Sequence, residues 1–395
     1  MKRPLGPTGG LLLFLLAVSC RSGPAEPSSA LQPGGRSDNP HLFGPEAIEK
    51  ILKTSPRTYR VSSGEAVEPV GVVDIVRRQE KGGSRRMDPF IEVDRSEGKV
   101  RLRSHLPDED VEPLFSQASD AFAARDFERA RRLYREAVDI RPGYFKSYTY
   151  LGNALYFLAR YAEAQEVFEQ ALRLNPFDYQ AHLFLGDTLH QLGHYDEAKR
   201  SLTHAFVLNR DNEVVQERLR GSLAKMGLAL REARIEPKVR VLPSIGEEVV
   251  IQLDREEGER WYALAACLAC WSYEEACRGR APPDQDPLRI AMYRECLLNQ
   301  AASVAARSED GGAAADERIL LAAIEDGFLE AIVFWEVLAK RAPAVMLLIP
   351  EELRGDVLRY IDRYVYVSTR MVDGRSVTQP AYAAGLGWGS APPSR

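Results

Sequence analysis

Nothing in this 395-residue sequence matches the local signatures of the common catalytic folds. There is no glycine-rich phosphate loop, no G-x-S-x-G elbow and no H-E-x-x-H pair, so nucleotide, serine-esterase and zinc-peptidase chemistry have no motif to rest on. Histidine is scarce, with six residues, and cysteine has five. An excess of positive charge is also missing. The 52 basic residues face 57 acidic ones, for a net charge of −5, which argues against nucleic acid as a partner. With 45% hydrophobic and 28% charged residues, the composition is that of a globular chain, which excludes a collagen, a fully disordered protein and a polytopic membrane protein. The length predicts two or three domains at about 150 residues each. No cofactor is expected from any pattern, and catalysis is not indicated.

The amino terminus carries a basic start, Met1-Lys2-Arg3, and an apolar run, Leu11–Val18. That run is too short to cross a hydrocarbon core of about 30 Å as a helix, and it matches the core of a secretory signal peptide. It ends in Ala17-Val18-Ser19-Cys20. Small residues before a cysteine at this point resemble the cleavage site of bacterial lipoproteins, in which the cysteine becomes the first mature residue and carries the lipid. The resemblance implies a signal peptide over 1–19 and lipidation at Cys20. It also implies a place in the bacterial cell envelope, in the outer membrane and facing the periplasm, because Arg21 rather than Asp follows the cysteine. Residues 20–44, rich in Pro, Gly and Ser, cannot bury enough apolar surface to fold and read as a linker behind the anchor.

Residues 45–106 read as a small α+β module, with a helix from Pro45 to Lys53 and strand-like runs at Thr58–Ser62, Val70–Val76, Phe90–Val93 and Lys99–Arg103. The last two flank a five-residue turn containing Gly98, which predicts a hairpin. The basic cluster Arg77, Arg78, Lys81, Arg85 and Arg86 reads as a solvated loop, with contact to anionic headgroups as the alternative.

From residue 111 the chain repeats itself at a fixed period. Ala118, Gly152 and Gly186 align, as do Ala130, Ala164 and Ala198, Ala137, Ala171 and Ala205, and Tyr134, Phe168 and Leu202. Pro142 and Pro176 recur at the ends of the first two copies. The pattern resembles the tetratricopeptide repeat, a helix–turn–helix unit of about 34 residues. Small residues at 152 and 164 let the paired helices approach closely, and Phe168 fills the space between one pair and the next. Three copies, 111–144, 145–178 and 179–212, are about the minimum that can bury a continuous core. The amphipathic stretch to residue 234 reads as a capping helix.

The resemblance implies a concave groove lined by the first helix of each copy, presented to a peptide segment or protein partner. Its groove positions fall on Phe115, Ser119 and Phe122, then Lys146, Thr149, Asn153 and Tyr156, then Leu183, Asp187 and His190. The carboxylate-binding subclass needs Lys and Asn where this chain has Phe115 and Ser119, so that subclass is unsupported. His190 and His194 lack the glutamate of a metallopeptidase helix, since Gln191 stands in its place, and no metal is expected there.

Residues 239–371 read as an α-helical domain. Two short strands or a docking segment over 239–252 open it, and helices follow over Glu257–Arg278, Pro287–Ala306, Asp316–Lys340 and Pro350–Tyr366. Phe328, Phe334 and Trp335 read as core. Residues 372–395, rich in Gly, Pro and Ser, read as a flexible tail. Cys267, Cys270, Cys277 and Cys296 can oxidise in an exported protein. The Cys267–Cys270 spacing fits neither haem attachment nor a zinc ribbon, and it lacks the strand-then-helix setting of a redox motif. If Glu257–Arg278 is one helix and the following loop centres on residue 283, Cys270 faces Cys296 and the two form a disulfide, with Cys267 as competitor.

The sequence therefore predicts a mainly α protein: a three-repeat helical solenoid with a small α+β module before it and a helical domain after it. The implied function is that of a lipid-anchored envelope scaffold binding a peptide or protein, for example in assembly of an envelope complex. The alternative is an envelope enzyme with chemistry in the carboxy-terminal half and the repeats as a docking arm.

Overall fold

The computed structural model describes residues 42–64, 91–94, 101–104, 107, 109–231, 235–242, 246–280, 288–308, 312–340, 344–372 and 375–380. The signal peptide, Cys20, most of the linker, the Val70–Val76 run and the Arg77–Arg86 cluster lie outside the described residues. The chain forms two compact units. In chain order, α1 (Pro45–Thr54) and β1 (Thr58–Gly64) belong to the second unit, whereas the hairpin β2 (Ile91–Asp94) and β3 (Arg101–Ser104) belongs to the first. Residues 45–106 are thus not one module. The elements among the described residues form close to where the pattern puts them, but β1 takes its partner from a strand in the carboxy-terminal half, Glu248–Asp254.

In the first unit the repeat is built as its period requires. The pairs are α2 (Glu112–Ala123) with α3 (Phe127–Ile140), α4 (Phe145–Phe157) with α5 (Tyr161–Leu174), and α6 (Tyr179–Gln191) with α7 (Tyr195–Leu208). The helix α8 (Glu213–Lys225) follows as the cap. Ala118, Ala130, Ala137, Ala164, Ala171, Ala198 and Ala205 are fully buried. A Cβ at Gly152 would lie 2.5 Å from the Phe168 ring, and one at Gly186 would lie 2.5 Å from Leu202, so glycine is required where the two helices of a pair cross. Side-chain oxygens start several of the helices: Asp126 accepts from the Arg129 amide and Asn212 from the Val215 amide. β2 pairs antiparallel with β3, Ile91 opposite Ser104, as the hairpin signal predicts. The Ile91 carbonyl accepts from the Asn175 side chain, which docks the hairpin at the turn between the second and third repeats. The capping helix stops at Lys225 instead of running to 234, because Gly227 adopts a left-handed φ of 67° and turns the chain into β4 (Leu228–Leu230).

The second unit is α+β: two short strands form within 239–254, as one of the readings of that stretch expected, and strands from Thr58–Gly64 and from Tyr366 onward add to the expected helices. One sheet has the order β1-β6-β5, with β5 (Val239–Val241) antiparallel and β1 parallel to β6 (Glu248–Asp254). Against it and α1 packs α9 (Tyr262–Tyr273), which is apolar on all sides and buried accordingly. Then come the short α10 (Glu275–Arg278), α11 (Ile290–Ser308), α12 (Ala315–Glu325) and α13 (Leu329–Ile332), the last continuing as a π turn over Val333–Leu338. Phe334 and Trp335 are buried there, as expected of core. The four-residue α14 (Val345–Leu348) returns to the first unit and packs on α7. α15 (Glu351–Tyr360) leads into β7 (Tyr366–Val372) and β8 (Arg375–Pro380), so the stretch read as a loose tail begins as a strand. β4, β7 and β8 form an antiparallel sheet.

The disulfides also differ from expectation. Cys267 pairs with Cys296, and Cys270 with Cys277, Cα atoms 5.2 and 5.8 Å apart. The expected Cys270–Cys296 bridge assumed one helix through Arg278. The chain instead leaves the helix at Glu274, whose φ of −101° and ψ of 128° are extended. That break folds α10 back, brings Cys277 over Cys270, and leaves Cys267, one turn earlier, to meet α11.

Candidate functional site

The first helices of the pairs line one side of the array, with α4 packed on α6 and α6 on the cap α8. The structure divides the ten groove residues into two sets. Phe115, Lys146, Thr149, Asn153, Leu183 and Asp187 are buried. Ser119 is exposed, and Phe122, Tyr156 and His190 are partly exposed.

Several of the buried set have structural tasks. Phe115 packs edge-on against Tyr134, Tyr144 and Tyr150, with ring centroids 5.4, 5.4 and 5.7 Å away, and so belongs to the core. Lys146 Nζ donates to Asp178 Oδ1 at 2.8 Å and to Gln180 Oε1 at 2.9 Å, and Thr149 Oγ1 donates to Asp178 Oδ2 at 2.6 Å. Asp178 also caps α6 by accepting from the Gln180 amide. A buried ion pair with every partner hydrogen-bonded thus ties the second repeat to the third, and Lys146 and Thr149 are engaged inside the protein.

Asp187 sits differently. Its Oδ2 lies 3.5 Å from Arg218 Nε on the cap, and the Arg218 side chain is 52% exposed. Burial pushes the Asp187 carboxyl up to about 6, against the pull of Arg218 and with a further rise from Glu217. Burial and the Asp187 charge together raise the neighbouring Tyr156 phenol, which bonds Gln191. His190 is held below its ordinary value by burial and by Lys225. Asn153, one repeat before Asp187, is buried, and its Oδ1 has no hydrogen-bond partner among the described residues.

An aromatic rim at the helix–helix turns was not singled out from the sequence, although it obeys the same period. Phe122 meets Phe127 at 5.2 Å, Tyr156 meets Tyr161 at 5.5 Å, and His190 meets Tyr195 at 5.2 Å, each edge to face. The register 127, 161, 195 is the signal that could have found it. Phe157 stacks on Phe127 at 5.0 Å, and both Phe157 and Tyr195 remain exposed.

In the second unit four buried carboxylates are ion-paired, Glu295 with Arg280, Glu317 with Arg307, Glu336 with Arg231 and Asp316 with Arg260, and buried Asp254 accepts from the Glu256 and Glu257 amides. Among the described residues no group of three or more His, Cys, Asp or Glu is placed to hold a metal ion. His190 and His194 lie on either side of the turn at Gly193, at the end of one helix and the start of the next. No described helix is long and apolar enough to cross a membrane.

The tetratricopeptide-repeat family profile matches residues 149–199, across the second and third helix pairs. Solved structures similar to the chain include an Arabidopsis OM64 tetratricopeptide domain, at 21% identity over 29% of this chain and 94% of that one, TM-score 0.28. The first such domain of Spaghetti (RPAP3) bound to an HSP90 peptide is similar at 20% identity over 31% and 97%, TM-score 0.30. The Yersinia enterocolitica secretion chaperone SycD with a peptide of the translocator YopD is similar at 16% over 30% and 97%, TM-score 0.29. No curated protein sequence matches the chain.

Proposed function

From the tetratricopeptide-repeat array that this chain carries, we infer a protein-interaction scaffold whose partner is a peptide segment or another protein. The observation that carries the reading is the accessible strip on the array: Ser119, Phe122, Tyr156 and His190 at groove positions, continued by exposed Phe157 and Tyr195. Contiguous exposed aromatics beside partly polar groups are the composition of a recognition surface. The scaffold is lipid-anchored in the bacterial envelope, at the outer membrane facing the periplasm, and assembly of an envelope complex is one form its work takes. The residues of 1–20 support the anchor, and the two disulfides of the second unit support an oxidising compartment. Two acyl chains on Cys20 suffice for stable anchoring.

Pull-down from detergent-solubilised envelopes tests the scaffold. Tyr156→Ala with His190→Ala removes the specific partner, and retention of every specific partner by that variant overturns the reading. Cys20→Ser moves the protein to the soluble periplasmic fraction, and unchanged membrane fractionation defeats the anchor.

A further inference from the structure

We propose that the concave face of the array recognises a basic side chain, Lys or Arg, of its partner, and that Asp187 and Asn153 receive it. The proposal rests on the scaffold reading and names the chemistry of the partner.

Asn153 and Asp187 occupy the same position in consecutive repeats, on α4 and α6, which pack side by side. Both offer acceptor oxygens at depth. Asn153 is 7% exposed, and its Oδ1 is without a partner among the described residues. A buried acceptor in that condition has given up its bond to water without replacement, and a donor arriving with a ligand restores it. Asp187 is 9% exposed. Its ion pair with Arg218 is long, and the half-exposed guanidinium is largely screened by water. The carboxylate is therefore buried but incompletely neutralised, and Glu217 beside it adds charge of the same sign. A second cation delivered to Asp187 meets a favourable field, and the exposed Arg218 side chain can swing outward to make room. Tyr156, partly exposed next to Asp187, supplies an aromatic face on which a guanidinium or ammonium can rest.

The same residues disfavour an acidic ligand. Lys146, the cation at a groove position, is fully buried and held by Asp178 and Gln180, so it is out of reach of an incoming carboxylate. An Asp or Glu side chain would instead face Asp187 and Glu217. Net charge across the whole chain, at −5, points the same way.

The test uses the full chain and an array of short peptides matched for length and hydropathy but differing in Arg, Lys, Gln and Glu content. The best binders are then measured by fluorescence anisotropy. Peptides with Arg or Lys are expected to dominate, and replacing that residue by Gln should weaken binding tenfold or more. Asp187→Asn, a near-isosteric change, should make the Arg and Gln peptides equal. Arg218→Gln should tighten the Arg peptide several-fold, and Asn153→Asp should do so as well. Binders that lack a basic residue, Glu peptides that bind as well as Arg peptides, or a preference that survives Asp187→Asn would each overturn the proposal and leave the scaffold reading standing. Failure of every peptide to bind would also overturn the proposal, whereas the scaffold reading stands or falls with the pull-down.

Discussion

One residue per repeat sets the turn between its two helices. Arg125, Ala159 and Gly193 hold the same position in successive repeats, and all three adopt left-handed backbone, with φ of 60°, 56° and 81°. An L side chain in that region costs about 1–2 kcal/mol, so the third repeat uses glycine and the first two carry strain. Ala159→Gly should raise the stability of the array by about 1 kcal/mol once the greater freedom of unfolded glycine is subtracted. Gly193→Ala should lower it by a similar amount. No neighbour lies within 4 Å of a Cβ at Gly193, so the effect is one of backbone alone. Urea unfolding of both variants gives the comparison. His182 offers a second test. It stacks on His204 at 4.9 Å, and its Nε2 lies 3.1 Å from the Pro176 carbonyl. Burial first, and then the His204 ring, lower its pKa to about 3. The unfolded chain therefore binds a proton near pH 6.5 that the folded chain refuses. This contribution is steady above that pH. As pH falls from 6.5 toward 3, stability is lost at about 1.4 kcal/mol per unit. Subtracting the pH profile of His182→Gln from that of the native chain should leave this slope, and parallel profiles would refute it.

At the scale of the element, the repeats were legible because each aligned residue does geometric work that tolerates few alternatives. Gly152 admits Phe168, and the buried alanines admit the neighbouring helix. The groove was less legible. Position in the repeat says which side of the helix a residue occupies, but not whether another side chain is waiting there. Lys146 stands at a groove position and is nonetheless consumed by Asp178, a residue of the following turn. That pair predicts a large effect. Asp178→Ala strands a fully buried ammonium and removes the α6 cap, so it should cost about 3–5 kcal/mol. Lys146→Met in the same chain should recover much of that, because no buried charge is then left alone. Denaturant midpoints of the two variants measure both, and an Asp178→Ala midpoint equal to the native one would mean that the ammonium finds water.

Across the whole molecule, the features hidden from the sequence are those that depend on distant or broken segments. Nothing in Thr58–Gly64 announces a parallel partner at Glu248–Asp254, since both are short runs compatible with many pairings. The cysteines make the same point in a form that can be checked. Opposed positions in a helical hairpin share one midpoint, which sets Cys270 against Cys296 if the helix runs on. The helix instead stops at Glu274, and the residues after it no longer follow its axis. Peptide mapping of the non-reduced protein should therefore return Cys267 joined to Cys296 and Cys270 joined to Cys277. A Cys270–Cys296 peptide would show that the helix continues. The longer bridge spans 29 residues of sequence and ties α9 to α11, so its loss should cost about 3–4 kcal/mol in the chain-entropy account. The shorter one spans 7 residues and fastens only α10 against the end of α9, so its loss should cost less. Cys267→Ala with Cys296→Ala should thus lower the melting temperature more than Cys270→Ala with Cys277→Ala. All four cysteines are fully buried, so the difference arises from the bridges and not from exposure of the sites. Equal losses in the two double variants would mean that the α9–α11 packing holds without its staple.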